Sequence, residues 1–440
     1  MDINELKKII QENGVVGAGG AGFPTYAKLD ERANTILMNC AECEPLLKLH
    51  RQLLEKHAYE IMKTFHLLAK TVGAQEAIIG IKKSYVDTVK ALKLHIEEFP
   101  EMRLHLLEEV YPMGDEVVLI YEATGRVVRP GGLPIEQGVA VFNVETVYNI
   151  YRALEQKHPV TDKLVSVVAE VSDPVTVRVP LGTALEEVVA MAGVITVKDP
   201  VYFVGGPMMG NIGTPSQPVT KTTNAILVLP QDHTIVNKKR RTTSIDMKRA
   251  ASICCQCQMC TDLCPRHALG HPIKPHEFMR AASNKDYRDT SPYVNTFFCC
   301  SCGVCEMFAC PQSLAPRSLM ADFKMGLRKA GLKPPAATTT PVQTSREYCK
   351  VPEERLMARL GLTKYDRPAP LDDEVRAVKK VTVNLSQHIG APAQAVVKPG
   401  DVVTAGQMIA QPGNGLSVAI HASISGKVTE VSDRAIVIVA

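Results

Sequence analysis

"CCQCQMCTDLCP", Cys254 to Pro265, packs five cysteines into eleven residues, and "CCSCGVCEMFACP", Cys299 to Pro311, repeats the pattern with one residue more before its last cysteine. The first reads Cys254-x2-Cys257-x2-Cys260-x3-Cys264-Pro265, the spacing of bacterial two-cluster ferredoxins. There, three closely spaced thiolates hold one [4Fe-4S] cube and the fourth, just before proline, reaches across to the other. The second reads Cys299-x2-Cys302-x2-Cys305-x4-Cys310-Pro311. Its longer last gap alters the turn before Cys310 and keeps the exchange. One cluster is therefore expected on Cys254, Cys257, Cys260 and Cys310, the other on Cys299, Cys302, Cys305 and Cys264, with Cys255 and Cys300 spare. Zinc is the competing reading, but structural zinc sites pair two short Cys knuckles, four ligands per ion. Two tight triples, each followed by Cys-Pro, fit that poorly.

The rest of the chain agrees with a redox protein of the cytosol or of a compartment reached from it. Its 13 cysteines, ten of them in the two stretches, are not expected as disulfides in a reducing compartment. The N-terminus "MDINELKKIIQENG" lacks the basic-then-apolar order of a signal peptide. No run approaches the ~20 apolar residues of a membrane span. A net charge of +4 is too small to imply nucleic acid or an anionic membrane as partner. With 440 residues, 45% of them hydrophobic, several cores are possible.

Residues 2–12 read as an amphipathic helix with Ile3, Leu6, Ile9 and Ile10 on one face. An encapsulation helix would look similar, and packing on the adjoining domain is the simpler account. Strand "TILMN", a long helix around Leu46 to Thr71, strand "EAIIGIK", a helix from Ser84 to Glu98 and strand "RLHLL" alternate as in an α/β domain with a largely parallel sheet. From about residue 161, "LVSVVAEV" and "PVTVRVP" form a hairpin, followed by helix "TALEEVVAMAG" and strand "VYFVGG". "NKKRRTTSIDMKR" is a solvated basic stretch before the cysteines, and "KPPAATTTPVQTSREY" a Pro/Thr-rich linker after them. The last segment, from 376, has two β-rich halves with Gly turns, a small barrel or sandwich.

"VVGAGGAGFPTYAKL" contains G-x-G-x-x-G at Gly17, Gly19 and Gly22. A Rossmann loop should follow a strand and open a helix, whereas this one follows a helix and two valines. Physically, its glycines expose backbone N–H groups to a phosphate or flat ring, with Lys28 as counter-charge.

"GAGGAGFPTYAKL" followed by "NCAECEP" resembles the flavin-binding region of the NADH-oxidising FMN subunit of respiratory complex I, and more closely the RnfC component of the Rnf electron-transport complex. "YPMGDEVVLIYEATGR", "FNVETVYNI", "VGGPMMGNIG" and "PVTKTTNAILVLP" extend the likeness. With "CTDLCPRHALGHPIKPH" and the four-residue gap before Cys310, the chain most resembles the cobalamin reductase family of propanediol-utilisation microcompartments. The resemblance implies FMN bound by Gly17, Gly19, Gly20, Gly22, Phe23, Lys28, Asn39, Glu42, Glu44, Gly114, Asp115, Glu116, Asn143, Glu145 and Thr146. Glu42 and Glu44 stand at the nicotinamide and flavin site. Ala41 replaces an acidic residue of complex I, which bears on nicotinamide binding.

The resemblance also implies four domains: an FMN/NADH-binding α/β domain (1–160), an SLBB β-grasp domain (161–230), a two-[4Fe-4S] ferredoxin-like helical domain (240–332), and, past a linker (333–375), a barrel-sandwich β module (376–440). "QMIAQPGNGLSVAI" has no lysine at the hairpin tip, so this module is expected to pack or dock instead of carrying a lipoyl-type group. The implied activity passes electrons from NADH through FMN and two clusters to cobalamin, from Co(III) through Co(II) to Co(I), inside or beside a bacterial microcompartment. A corrinoid adenosyltransferase and shell proteins are the implied partners. His267, His271 and His276 are candidate cobalt ligands, with structural roles the simpler account. The alternative is a peripheral subunit of an Rnf-type NADH:ferredoxin oxidoreductase.

Overall fold

The computed structural model describes residues 1–440. Four parallel strands form the first sheet, in the order Met102–Leu107, Glu76–Lys82, Thr35–Cys40, Val139–Asn143. The two central strands are almost wholly buried, as expected of Ile- and Ala-rich segments covered on both faces. Helices Ile3–Glu12, Ala58–Val72 and Val144–Glu155 bury one face, where Ile3, Leu6 and Ile10 join the same core as Phe65 and Phe142. The N-terminal helix is thus a packing element. Helix Glu116–Thr124 covers the other face through Val117, Leu119 and Ile120 against Leu37 and Ile78. Pairing in register sets Asn39 beside Asn143 at the carboxyl ends of adjacent strands, where ligand crevices of such sheets open.

The long helix expected around Leu46 to Thr71 is two, Leu49–Lys56 and Ala58–Val72. His57 leaves helical geometry between them (φ −124°, ψ 37°), where its ring meets Asp373 at 3.3 Å and lies 4.6 Å from the Tyr148 ring, tilted by 30°. The next helix is shorter than expected, Val86–Lys93, with a 3₁₀ turn at Ile96–Glu98.

The second sheet has six strands, ordered Leu371–Val375, Val175–Pro180, Asp162–Ala169, Ala225–Leu229, Val201–Val204, Asn211–Ile212. Its hairpin is the expected antiparallel pair. Its first strand comes from the segment expected as a linker. That segment is more than a spacer: Val351–Pro352 pairs with Val110–Tyr111, and helix Glu353–Leu360 follows. The Pro/Thr-rich composition describes only its beginning, and Leu356, Leu360, Leu362 and Tyr365 are buried against Phe203 and Leu227.

Helices Thr243–Ile253, Pro275–Asn284 and Pro316–Lys329 frame the cysteine domain. The basic stretch before it is helical and partly engaged: Lys238 Nζ donates to Glu306 O, and Arg241 pairs with Asp246. The C-terminal module is two small antiparallel sheets around Val381, Ile409, Ile420 and Ile438. It docks at a junction made by buried Lys221, whose Nζ donates to Gly14 O (2.6 Å) and Ala419 O (3.2 Å). No helix is long and apolar enough to cross a membrane.

Candidate functional site: a flavin cavity against two cysteine cages

The glycine loop is closed at its base by a bridge between Val16 and Pro24 and by Gly17 N donating to Phe23 O at 2.9 Å. It turns through left-handed geometry at Gly20 (φ 68°) and Gly22 (φ 69°). Ala18 N donates to Thr146 Oγ1 at 2.9 Å, pinning the loop to the start of helix Val144–Glu155. A helix precedes the loop and a 3₁₀ turn, Thr25–Lys28, follows it, so the local architecture is not the strand–loop–helix of a dinucleotide fold.

The loop forms one wall of a cavity of about 440 Å³, within the usual range for small-molecule and cofactor sites. Of the fifteen residues expected at the flavin, all but Glu145 border it. Lys28 Nζ donates to Val141 O (2.9 Å) and faces Glu116 (3.3 Å). Asn39 Nδ2 donates to Gly114 O at 2.9 Å, tying the end of its strand to the loop before helix Glu116–Thr124. A Cβ at Gly114 would sit 2.7 Å from Ala41 O and 3.0 Å from Cys43 Sγ, so only glycine lets these segments meet. Asp115 and Asn143 cap their helices through side-chain oxygens. The Glu42 carboxylate accepts from His50 N, and Tyr85 OH donates to Glu42 O.

Glu44 accepts from Met208 N (2.8 Å) and Met209 N (3.0 Å), clamping the Gly205–Gly210 loop of the second domain onto the cavity. Burial pushes its carboxyl up to about 7 against the pull of those two N–H groups. Glu145 stands behind the wall. Burial alone would raise its carboxyl, but Lys163 and His50 beside it hold it down at about 2.

Further residues line the cavity that were not expected at the flavin: His50, Tyr111, Met209 and Asn224, together with Cys300 and Cys302 of the second cysteine stretch. Asn224 Oδ1 is buried without a hydrogen-bond partner, an acceptor left open at the cavity wall. Backbone N–H groups of a glycine loop, a lysine and this open acceptor together suit a phosphorylated heterocycle, so the residues present fit FMN.

The cysteines fall into two cages. Cys254, Cys257, Cys260 and Cys310 surround one small cavity together with Cys255. Cys264, Cys299, Cys302 and Cys305 surround another together with Cys300. Each cage thus draws three cysteines from one stretch and the Cys-Pro cysteine from the other. Four expected ligands lining one cavity at each place is the arrangement a cubane cluster needs. Left-handed residues sit at matching places, Gln256 and Gln258 in the first stretch and Ser301 and Gly303 in the second, bending the backbone around each cage. The extra residue before Cys310 is absorbed by a π-helical turn, Val304–Ala309, where the first stretch has an α-turn, Met259–Asp262.

Cys300 and Cys302 border both the second cage and the flavin cavity, so these two sites share a wall. This inner cage contains buried Cys264 and Cys305, whereas the outer one has exposed Cys257. Of the three histidines, His271 Nε2 faces Val128 O at 2.9 Å and His276 Nδ1 faces Thr261 Oγ1 at 2.8 Å. Both are thus engaged by the protein, and His271 is lowered to about 4 by burial and Arg266.

Residues 10–152 match the Nuo51 FMN-binding domain, 253–315 the 4Fe-4S dicluster domain and 370–439 the RnfC barrel sandwich hybrid domain. The cobalamin reductase PduS of Salmonella typhimurium is 41% identical over 100% of this chain and 97% of its own length. The Citrobacter freundii PduS is 39% identical over the same shares. The chain belongs to the PduS family. A component of the Na(+)-translocating ferredoxin:NAD(+) oxidoreductase complex of Acetobacterium woodii is a more partial relative of this PduS-family chain. It is 30% identical over 61% of the chain and 59% of that component. FMN and two [4Fe-4S] clusters are accordingly the cofactors of this PduS-type oxidoreductase.

Proposed function

We propose that this chain oxidises NADH and delivers single electrons to cobalamin, with the flavin in the glycine-walled cavity and the clusters on the two cysteine cages. The observation that carries the reading is the shared wall: Cys300 and Cys302 border the flavin cavity and the inner cage alike. Its full-length likeness to two cobalamin reductases supports the acceptor.

Flavin bound there would convert a two-electron hydride donor into single electrons, which [4Fe-4S] clusters carry one at a time. The chain's residues do the rest. Gly19, Gly20 and Gly22 offer backbone N–H groups, and Lys28 a positive charge, to the phosphate, while the Gly17 N–H closes the base of the loop on Phe23 O. Asn39, Gly114 and Asn143 form the floor at the strand ends. Glu42 and Glu44 flank the side where nicotinamide would enter, Glu44 by holding the Met208–Met209 loop over the cavity. Cys264, Cys299, Cys302 and Cys305 ligate the inner cluster, and Cys254, Cys257, Cys260 and Cys310 the outer one near the surface. Four modules follow from the same reading, with the boundaries given above, and the segment between the last two adds strand Val351–Pro352 to the first and Leu371–Val375 to the second. A microcompartment location, with shell proteins or a corrinoid adenosyltransferase as neighbours, is part of the proposal.

Anaerobic titration of the reconstituted protein with NADH tests it. Bleaching of both the flavin bands and the broad iron–sulfur absorption, followed by reoxidation on adding cob(III)alamin, is expected. Bleaching by dithionite but not by NADH would make the chain a relay fed by another donor, and point to Ala41 as the reason.

A further inference from the structure

We propose that Arg266 sets the reduction potential of the inner cluster and that Asp115 moderates this effect from the flavin side. The inference rests on the assignment of Cys264, Cys299, Cys302 and Cys305 to that cluster. Arg266 follows the ligand pair Cys264-Pro265 and borders the inner cage with the cysteines. Its Nη2 donates to Asp115 Oδ2 at 2.8 Å, and both side chains are largely buried, 14% and 13% exposed. Its Nε is buried and has no protein partner.

Asp115 cannot swing away. Its Oδ1 accepts from Val117 N and Val118 N, both at 3.1 Å, capping helix Glu116–Thr124, and the residue borders the flavin cavity. The pair is therefore a charged strut from the flavin wall to the cage. A cluster gains negative charge with each electron it accepts, and a buried cation with a free N–H donor stabilises that form. Asp115 offsets part of the cation. Arg317 also borders this cage, its Nε likewise buried without a partner, but no carboxylate couples it to the flavin wall as Asp115 couples Arg266. The ammonium of Lys324 donates to Cys299 O at 3.0 Å and is held on the backbone.

The test is a potentiometric titration of the reconstituted full chain, following each cluster by its EPR signal. Arg266→Gln is expected to move the inner cluster's midpoint to more negative potential and leave the outer one in place. Asp115→Asn is expected to move the inner midpoint the opposite way, and Arg266→Lys to restore part of the loss. An unmoved inner midpoint in a fully loaded Arg266→Gln protein, or shifts of one sign in both variants, overturns the proposal. If Arg266→Gln does not load its inner cluster, Asp115→Asn alone decides, and an unmoved midpoint there overturns it. Iron content and the number of EPR signals in the unmutated protein test the cage assignment separately.

Discussion

Glu44 is the side chain on which the cavity and the second domain meet, and its chemistry has a sign that can be checked. Folded, its carboxyl titrates at about 7, whereas the unperturbed value is 4.5. The unfolded chain thus loses this proton at lower pH than the folded one. The contribution of Glu44 to stability is therefore full below the unfolded value and declines as pH rises from 4.5 through 7. Arg317 and Lys239 lean the other way and keep the ionised form within reach near neutrality. In Glu44→Gln, melting temperature relative to the unmutated protein is expected to rise steadily across that window. Parallel pH profiles of the two proteins would show that Glu44 does not titrate there. Glu44 is recognisable from "NCAECEP", but its partners are not: Met208 and Met209 stand 164 and 165 residues away, and a backbone N–H has no sequence signature. Asn224 and His50 are illegible for the same reason, since each reaches the cavity by packing and not by any spacing with the glycine loop.

At the level of elements, the cysteine stretches are readable because ligand spacing is itself the structural constraint: three thiolates around one cube fix the turns between them. The one irregularity, the longer gap before Cys310, becomes a π-turn at Val304–Ala309. The first stretch closes the same exchange with an α-turn and a three-residue gap, so the extra residue is an insertion absorbed locally. Deleting Phe308, which is only half-buried, is expected to convert the π-turn to an α-turn with both clusters retained and iron content unchanged. Loss of about half the iron, as expected for Cys310→Ala, would mean that the π-turn is needed to bring Cys310 to the outer cage. Other elements are less legible. The helix break at His57 has no proline or glycine to announce it, and depends on contacts with Asp373 and Tyr148 from distant segments. The composition of segment 333–375 reports only on its first residues, while the strand Leu371–Val375 finds its place only through a partner, Val175–Pro180, far upstream.

Across the whole molecule, the arrangement imposes an order. The flavin cavity shares a wall with the inner cage, and that cage takes Cys264 from the stretch that otherwise builds the outer one. The outer cage opens to solvent at Cys255 and Cys257, where a bulky acceptor can approach without entering the flavin site. Electrons from NADH should then reach the outer cluster only through the inner one, and the two cages can be removed separately. In Cys257→Ala, NADH is expected to reduce the flavin and the inner cluster, while transfer to cob(III)alamin is lost. In Cys302→Ala, NADH is expected to reduce the flavin alone, leaving the outer cluster oxidised though dithionite still reduces it. Tyr111 OH donates to the Cys302 carbonyl at 2.6 Å, a contact the alanine retains. EPR spectra frozen after anaerobic mixing with NADH distinguish the cases. An outer cluster reduced by NADH in Cys302→Ala would break the series order and require a direct path from the flavin cavity to the surface cage, one for which the shared Cys300–Cys302 wall provides no route.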